Sequence, residues 1–113
     1  MDTYSQGKAG EEVACKYLKG LGHEIVTTNF RKRNGEIDII SRLGNVLYFI
    51  EVKNWKNEVP HPLESLTKKK CERMRSVARI FLYELGWNES EFTISFSLLH
   101  VRNDSISFYT DLF

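Results

Sequence analysis

A chain of 113 residues is long enough for one domain with its own core and too short for two. Apolar residues make up 42% and charged residues 27%, which excludes a disordered chain, and sixteen basic against fifteen acidic residues leave a net charge of +1, so any preference for nucleic acid has to be local. The longest apolar run, Val46 to Ile50, falls far short of the roughly 20 residues of a membrane helix, and Met1-Asp2-Thr3-Tyr4-Ser5 lacks the basic-then-apolar pattern of a signal peptide. The expectation is a cytoplasmic protein with no membrane partner.

Residues 1–6 read as a flexible start. From Gly7 to about Leu21 the spacing of Gly10, Ala14, Tyr17, Leu18 and Leu21 predicts a helix with one apolar stripe, and Gly20 and Gly22 offer stop signals. Glu11 falls beside Leu18 at the margin of that stripe, whereas Glu12 lies on the solvent side. Glu11 can therefore point toward a neighbouring site, the plainer reading being a first-turn acid that favours the helix N-terminus. Cys15 and Cys71 both fall on helical apolar stripes and read as two reduced core thiols.

His23 to Phe30 predicts a first strand, followed by Arg31-Lys32-Arg33 and the turn signal Asn34-Gly35. Two further β-rich runs, Glu36 to Arg42 and Val46 to Lys53, flank the hairpin turn Gly44-Asn45. That turn sets Asp38 opposite Glu51 and Glu36 opposite Lys53, and alternation puts all four side chains on one face. Like charges directly opposed, with Cβ atoms roughly 4.5–5.5 Å apart, destabilise a sheet unless something positive sits between them. If Asn34-Gly35 is also a two-residue turn, Arg31 faces Asp38 and Arg33 faces Glu36, and the face could be a plain ladder of ion pairs. Against that, Ile40 and Phe49 share the face and set the charges at the edge of an apolar patch, where carboxylates are more often functional. The opposite face, Ile37, Ile39, Tyr48, Ile50 and Val52, reads as core.

Asn54 to Leu66 is polar, carries Pro60 and Pro62, and reads as a surface loop. Thr67 is a good N-cap for a helix reaching Leu85, with Gly86 as its stop and Cys71, Met74, Val77, Ala78, Phe81, Leu82 and Leu85 as its buried stripe. Lys68, Lys69, Lys70, Arg73, Arg75 and Arg79 crowd its first turns against the single acid Glu72. Lys68, Arg75 and Arg79 line one flank, while Lys69 and Arg73 point away. A charge run is usually a solvated face, but this imbalance in a near-neutral chain points to phosphate contacts. Phe92 to Leu98 alternates as a strand, a turn follows at Arg102-Asn103-Asp104, and Ile106 to Tyr109 forms a last short strand before Leu112-Phe113. The order αβββαββ predicts a mixed sheet with helices packed on it, an α/β layer domain over residues 1–113.

Two converging carboxylates with a lysine two residues from one of them make a chemical proposal. Mg²⁺ and Mn²⁺ prefer oxygen ligands, and a lysine beside such a metal can orient a water or stabilise charge on a phosphate under attack. The segments G-E-I-D-I-I and F-I-E-V-K, with G-E-E-V-A on the leading helix, resemble the PD-(D/E)XK nuclease core. They are similar in particular to the bacterial YraN family of endonuclease-like proteins, and more distantly to archaeal Holliday-junction resolvases. The resemblance runs from Gly7 to the C-terminus. It implies a restriction-endonuclease-like fold, Asp38 and Glu51 as ligands of Mg²⁺ or Mn²⁺, Lys53 as catalytic lysine, and Glu11 as the helix-borne acid that completes both the metal and the catalytic set. Glu36 matches the acid of the G-E-x-D pattern and takes an orienting role through Lys53. The expected partner is nucleic acid, DNA first, held by Lys68, Arg75 and Arg79, with a homodimer left open. Ile37 stands where the general motif has proline, Trp55 where arginine is more usual, and Phe96-Ser97 where a phenylalanine-aspartate pair is expected. Three functions remain open: a metal-dependent nuclease acting on DNA, including branched or structured DNA; a non-catalytic nucleic-acid-binding domain of the same fold; and an interaction module whose charged face is an ion-pair ladder.

Overall fold

The structure is a computed structural model that describes residues 3–54, 61–103 and 105–113, with side chains from residue 9 onward. Helix α1 (Thr3–Gly20) is followed by strands β1 (Glu24–Lys32), β2 (Gly35–Leu43) and β3 (Val46–Asn54), helix α2 (Lys68–Leu85), and strands β4 (Thr93–Val101) and β5 (Ile106–Tyr109). The strands form one sheet in the order β1-β2-β3-β4-β5, antiparallel except for the parallel pair β3–β4. This is the predicted αβββαββ mixed α/β architecture. Helix α1 begins before the expected Gly7, and Leu21 lies past its end, 49% exposed, instead of closing the apolar stripe. The loop reading of Asn54 to Leu66 and the departure at Trp55 fall largely on residues 55–60, outside the described residues, as does Asp104. Within that loop, Pro62–Ser65 form a short 3₁₀ turn capped by His61.

The core is double-sided. Ala14 and Leu18 of α1 pack with Ile39, Ile50, Leu99 and Val101 on one face of the sheet. Met74, Val77, Ala78, Phe81 and Leu82 of α2 pack with Ile37, Ile40, Leu47, Phe49 and Phe96 on the other. Each fully buried large apolar side chain contributes roughly 1.5–3 kcal/mol, so the central strands carry most of the stability. Burial on both faces explains the apolar run Val46 to Ile50 of β3 and the adjacent Ile39-Ile40 of β2. One side chain departs from strict alternation: Ile37, expected beside Ile39, packs in the α2-side cluster with Ile40. Both cysteines are half-buried free thiols, as read from their stripes.

Helix α2 starts and stops where its caps dictate. The Thr67 hydroxyl accepts from the Lys70 N–H, and Gly86, at φ 66°, ends the helix with its N–H on Leu82 and Tyr83 carbonyls. The β2–β3 register also follows the Gly44-Asn45 turn, from Leu43–Val46 to Ile39–Ile50. The first hairpin does not follow its turn signal. An Asn-Gly turn of type I′ needs positive φ at both residues, and of these two only Gly35 has it. The turn falls one residue earlier, at Arg33-Asn34, so Lys32 pairs with Gly35 and Arg31 with Glu36.

Helix α1 approaches the end of β3 closely at Gly10. A Cβ there would stand 2.7 Å from Asn54 Cβ and 2.8 Å from its Nδ2. Alanine is favoured over glycine in a helix interior by about 1 kcal/mol. Gly10→Ala should nevertheless lower stability, by roughly 1–3 kcal/mol for an overpacked contact. Urea denaturation checks this, and a stabilised variant would show that α1 does not rest on β3 at this point.

Candidate active site

The site forms where the β2–β3 ladder stops. Beyond Ile39–Ile50 the backbone pairing is replaced by a side chain: Val52 N–H donates to Asp38 Oδ2 at 2.8 Å. Asp38 is thereby drawn toward the end of β3 without a backbone partner, and the expected Glu36–Lys53 rung lies beyond the last pair of the ladder. With the first turn shifted, Arg31 is not opposite Asp38 either. It bonds Glu36 at 3.2 Å instead, and Asn29, at φ 53°, stands between the pairs Thr28–Ile39 and Phe30–Ile37 that flank Asp38. Among the described residues, the ion-pair ladder therefore lacks the cation it needs at Asp38.

Asp38 shows the consequence. Burial, with the nearby Glu51 carboxylate next in weight and Glu11 and Glu36 adding smaller repulsions, raises its pKa to about 7, against a lowering by the Val52 hydrogen bond. Glu51, 7% exposed, has the opposite surroundings. Its Oε1 lies 3.0 Å from Lys70 Nζ and 3.4 Å from Lys53 Nζ, so one carboxylate sits between two ammonium groups. Glu11 completes the acidic rim from α1, where its Oε2 accepts from Asn29 Nδ2 at 2.9 Å. Among the described residues, no three His, Cys, Asp or Glu side chains are gathered at metal-binding spacing. The pair with charge to share is Asp38 and Glu51.

Lys70 belongs to this site and was not singled out in the sequence, where it read as one of six basic residues on a helix. Its signal was positional: it falls in the first turn of α2, and α2 packs on the face that carries Glu51. Parallel pairing places Lys53 beside His100 and Glu51 beside Leu98, and β5 extends the second row to Tyr109. His100 is buried, and the Tyr109 hydroxyl lies 3.4 Å from His61 Nε2. No short motif marks these residues, because a β3–β4 crossover brings them in. The predicted phosphate contacts lie elsewhere on α2. Lys68 and Arg79 are exposed, and Arg75 stacks its guanidinium 4.9 Å from the Phe113 ring, which itself stacks on Phe96.

Fold and site together define an α/β domain with a buried and a half-buried carboxylate and lysines at the end of a central hairpin. Residues 10–108 match the family described as "Uncharacterised protein family UPF0102", and the chain belongs to that family, the YraN type that its motifs resemble. A UPF0102 protein of Campylobacter jejuni subsp. jejuni is 39% identical over 106 residues, covering 94% of this chain and 91% of its own. Another, of Chlorobium limicola, is 44% identical over 91 residues, covering 80% of this chain and 70% of its own. Among solved structures the chain is similar to that of SSO0001, at 18% identity and a TM-score of 0.45 over 93% of this chain. It spans 48% of that longer chain.

A carboxyl whose pKa is raised on folding stabilises the protein fully below its unfolded value of 3.8 and loses that contribution as pH rises through about 7. Asp38→Asn keeps an acceptor for Val52 and removes the charge. The variant should match the wild type near pH 4 and exceed it by a few kcal/mol at pH 8, because each tenfold change in an acid dissociation constant is worth about 1.4 kcal/mol. Urea melts across that range check it. A variant less stable than wild type at pH 8 would mean that Asp38 is charge-paired.

Proposed function

We propose that this domain is a metal-dependent phosphodiesterase acting on DNA, branched or otherwise structured molecules included. The observation that carries the reading is Asp38, a half-buried carboxyl crowded by Glu51, Glu11 and Glu36 and matched by no cation from β1. Such a group calls for positive charge, and an all-oxygen donor pair suits a hard divalent ion, which commonly uses one or two protein carboxylates and completes its shell with water and substrate phosphate. The residues therefore fit Mg²⁺ or Mn²⁺, with Asp38 and Glu51 as holders and Glu11 as an outlying acid. A bound divalent ion would supply Lewis-acid polarisation of the phosphate and lower the pKa of a bound water.

The chain's own groups have separable tasks in hydrolysis, in which a water oxygen bonds to phosphorus and the bridging P–O bond breaks. Lys53 is positioned by Glu51 and can donate to the attacking water or to a phosphate oxygen as negative charge builds there. Lys70 reaches the same carboxylate oxygen from α2, holding Glu51 in place while competing for it with any cation. Glu36, expected to orient Lys53, instead takes Arg31, which makes it an electrostatic neighbour of Asp38.

A second reading, a nucleic-acid-binding domain without catalysis, is favoured by one observation: the two lysines already neutralise Glu51. Metal decides between them. On the nuclease reading, Mn²⁺ at ten times its dissociation constant stabilises the wild type by about 1.4 kcal/mol, and Asp38→Asn responds far less. Lys53→Ala should keep the metal response and lose cleavage of a DNA panel, and Lys70→Ala should tighten metal binding by removing its competitor for Glu51. A wild type whose melting is indifferent to Mn²⁺ and Mg²⁺ leaves only the binding reading.

A further inference from the structure

A concave surface lies on the flank of α2 away from Lys68, Arg75 and Arg79. It is an open cleft of about 680 Å³ between the β1–β2 turn and the helix, lined by Arg33, Asn34, Gly35, Lys69, Glu72, Arg73 and Ser76. Three cations and one acid line it, an excess of two positive charges in a chain whose total is +1. Arg33, Lys69 and Arg73 are all exposed, and among the described residues none has an acidic partner. Four cations nearby are matched by contrast: Arg31 with Glu36, Lys32 with Glu84, Lys53 and Lys70 with Glu51. Three cations that converge on a single acid repel one another, and an anion in the cleft would relieve that repulsion.

Gly35, at φ 154°, lets the turn rest on α2 in ordinary van der Waals contact, where a Cβ would lie 3.6 Å from both Arg73 Cβ and Val77 Cγ2. Asn34 and Ser76 add uncharged groups able to donate hydrogen bonds. The cleft lies one residue along the chain from the site on both walls: Gly35 precedes Glu36, which acts on Asp38, and Lys69 precedes Lys70, which holds Glu51.

We propose that this cleft binds the sugar-phosphate backbone of a nucleic-acid strand and leads it to the Asp38–Glu51 pair. A lone phosphate would fill little of a space within the ~300–1,000 Å³ range of ligand clefts, whereas consecutive phosphodiesters present charges to cations spread along two walls. The inference rests on the nucleic-acid part of the function proposed above and not on catalysis, and its test is therefore run in chelator.

The test is fluorescence anisotropy of labelled single-stranded and duplex DNA with the full chain over a range of salt. The Arg33→Gln/Lys69→Gln/Arg73→Gln variant should bind tenfold or more weakly at moderate salt and flatten the slope of log K on log salt by about two to three. Glu72→Gln, which removes the cleft's acid, should bind more tightly than wild type. The charge-matched control Lys68→Gln/Arg75→Gln/Arg79→Gln should lose distinctly less. Among the described residues the substituted groups other than Arg75, which rests on Phe113, have no ion-pair partner to lose, and thermal melts confirm folding. Equal losses in the two triple variants, an unchanged slope in the cleft variant, or displacement of DNA by millimolar inorganic phosphate beyond its effect on ionic strength would each overturn the proposal. A wild type without affinity for DNA in chelator would overturn it too, while the metal response of the melts, which needs no DNA, judges the nuclease reading separately.

Discussion

The hydrogen bond from Val52 N–H to Asp38 Oδ2 is the constraint on which the rest of this site depends. A side chain takes the place of a backbone acceptor just where β2 and β3 stop pairing. That substitution satisfies a part-buried donor and fixes a carboxyl in a place where ionising it is unfavourable. Asp38 is thus held by the fold and destabilised by its surroundings at the same time. A group in that condition is a common mark of function.

The two helices divide the electrostatic work. Helix α1 approaches the sheet closely enough at Gly10 to set Glu11 at the rim, tied to Asn29 of β1. Helix α2, on the other face, reaches in with Lys70 and leaves Lys69 and Arg73 on its outer flank. A three-layer arrangement therefore brings acids from one side and cations from the other to the same strand ends. Among the described residues Asp38 has no cation, while Glu51 has two, Lys70 from α2 and Lys53 from its own strand.

The regular elements were legible because local chemistry decides them. Thr67 and Gly86 bound α2, and Gly44 at φ 62° sets the register that brings Asp38 and Glu51 to the same end of the hairpin. The first hairpin was misread because Asn34-Gly35 is a strong signal for a turn but not for its placement. One residue of displacement left Asp38 without Arg31. Ile37 was misassigned because alternation holds only while a ladder is regular, and this ladder ends at Ile39. Lys70 was marked only by its place in the first turn of α2, and His100 by nothing local, since their proximity to Glu51 and Lys53 is created by the packing of α2 and the parallel β3–β4 pairing. The family resemblance named the acids and Lys53, and the structure adds what surrounds them.

The central claim is that Asp38, with its pKa raised to about 7, is a ligand awaiting a divalent ion. A ligand must shed its proton to bind, so metal binding and proton release are linked. Isothermal titration of Mn²⁺ into the wild type at pH 6, in two buffers of different ionisation enthalpy, measures the protons released directly. The account predicts close to one proton per metal at pH 6, falling toward zero at pH 8, and no such pH-dependent release in Asp38→Asn. Binding without proton release at pH 6, or no binding at all, would contradict it.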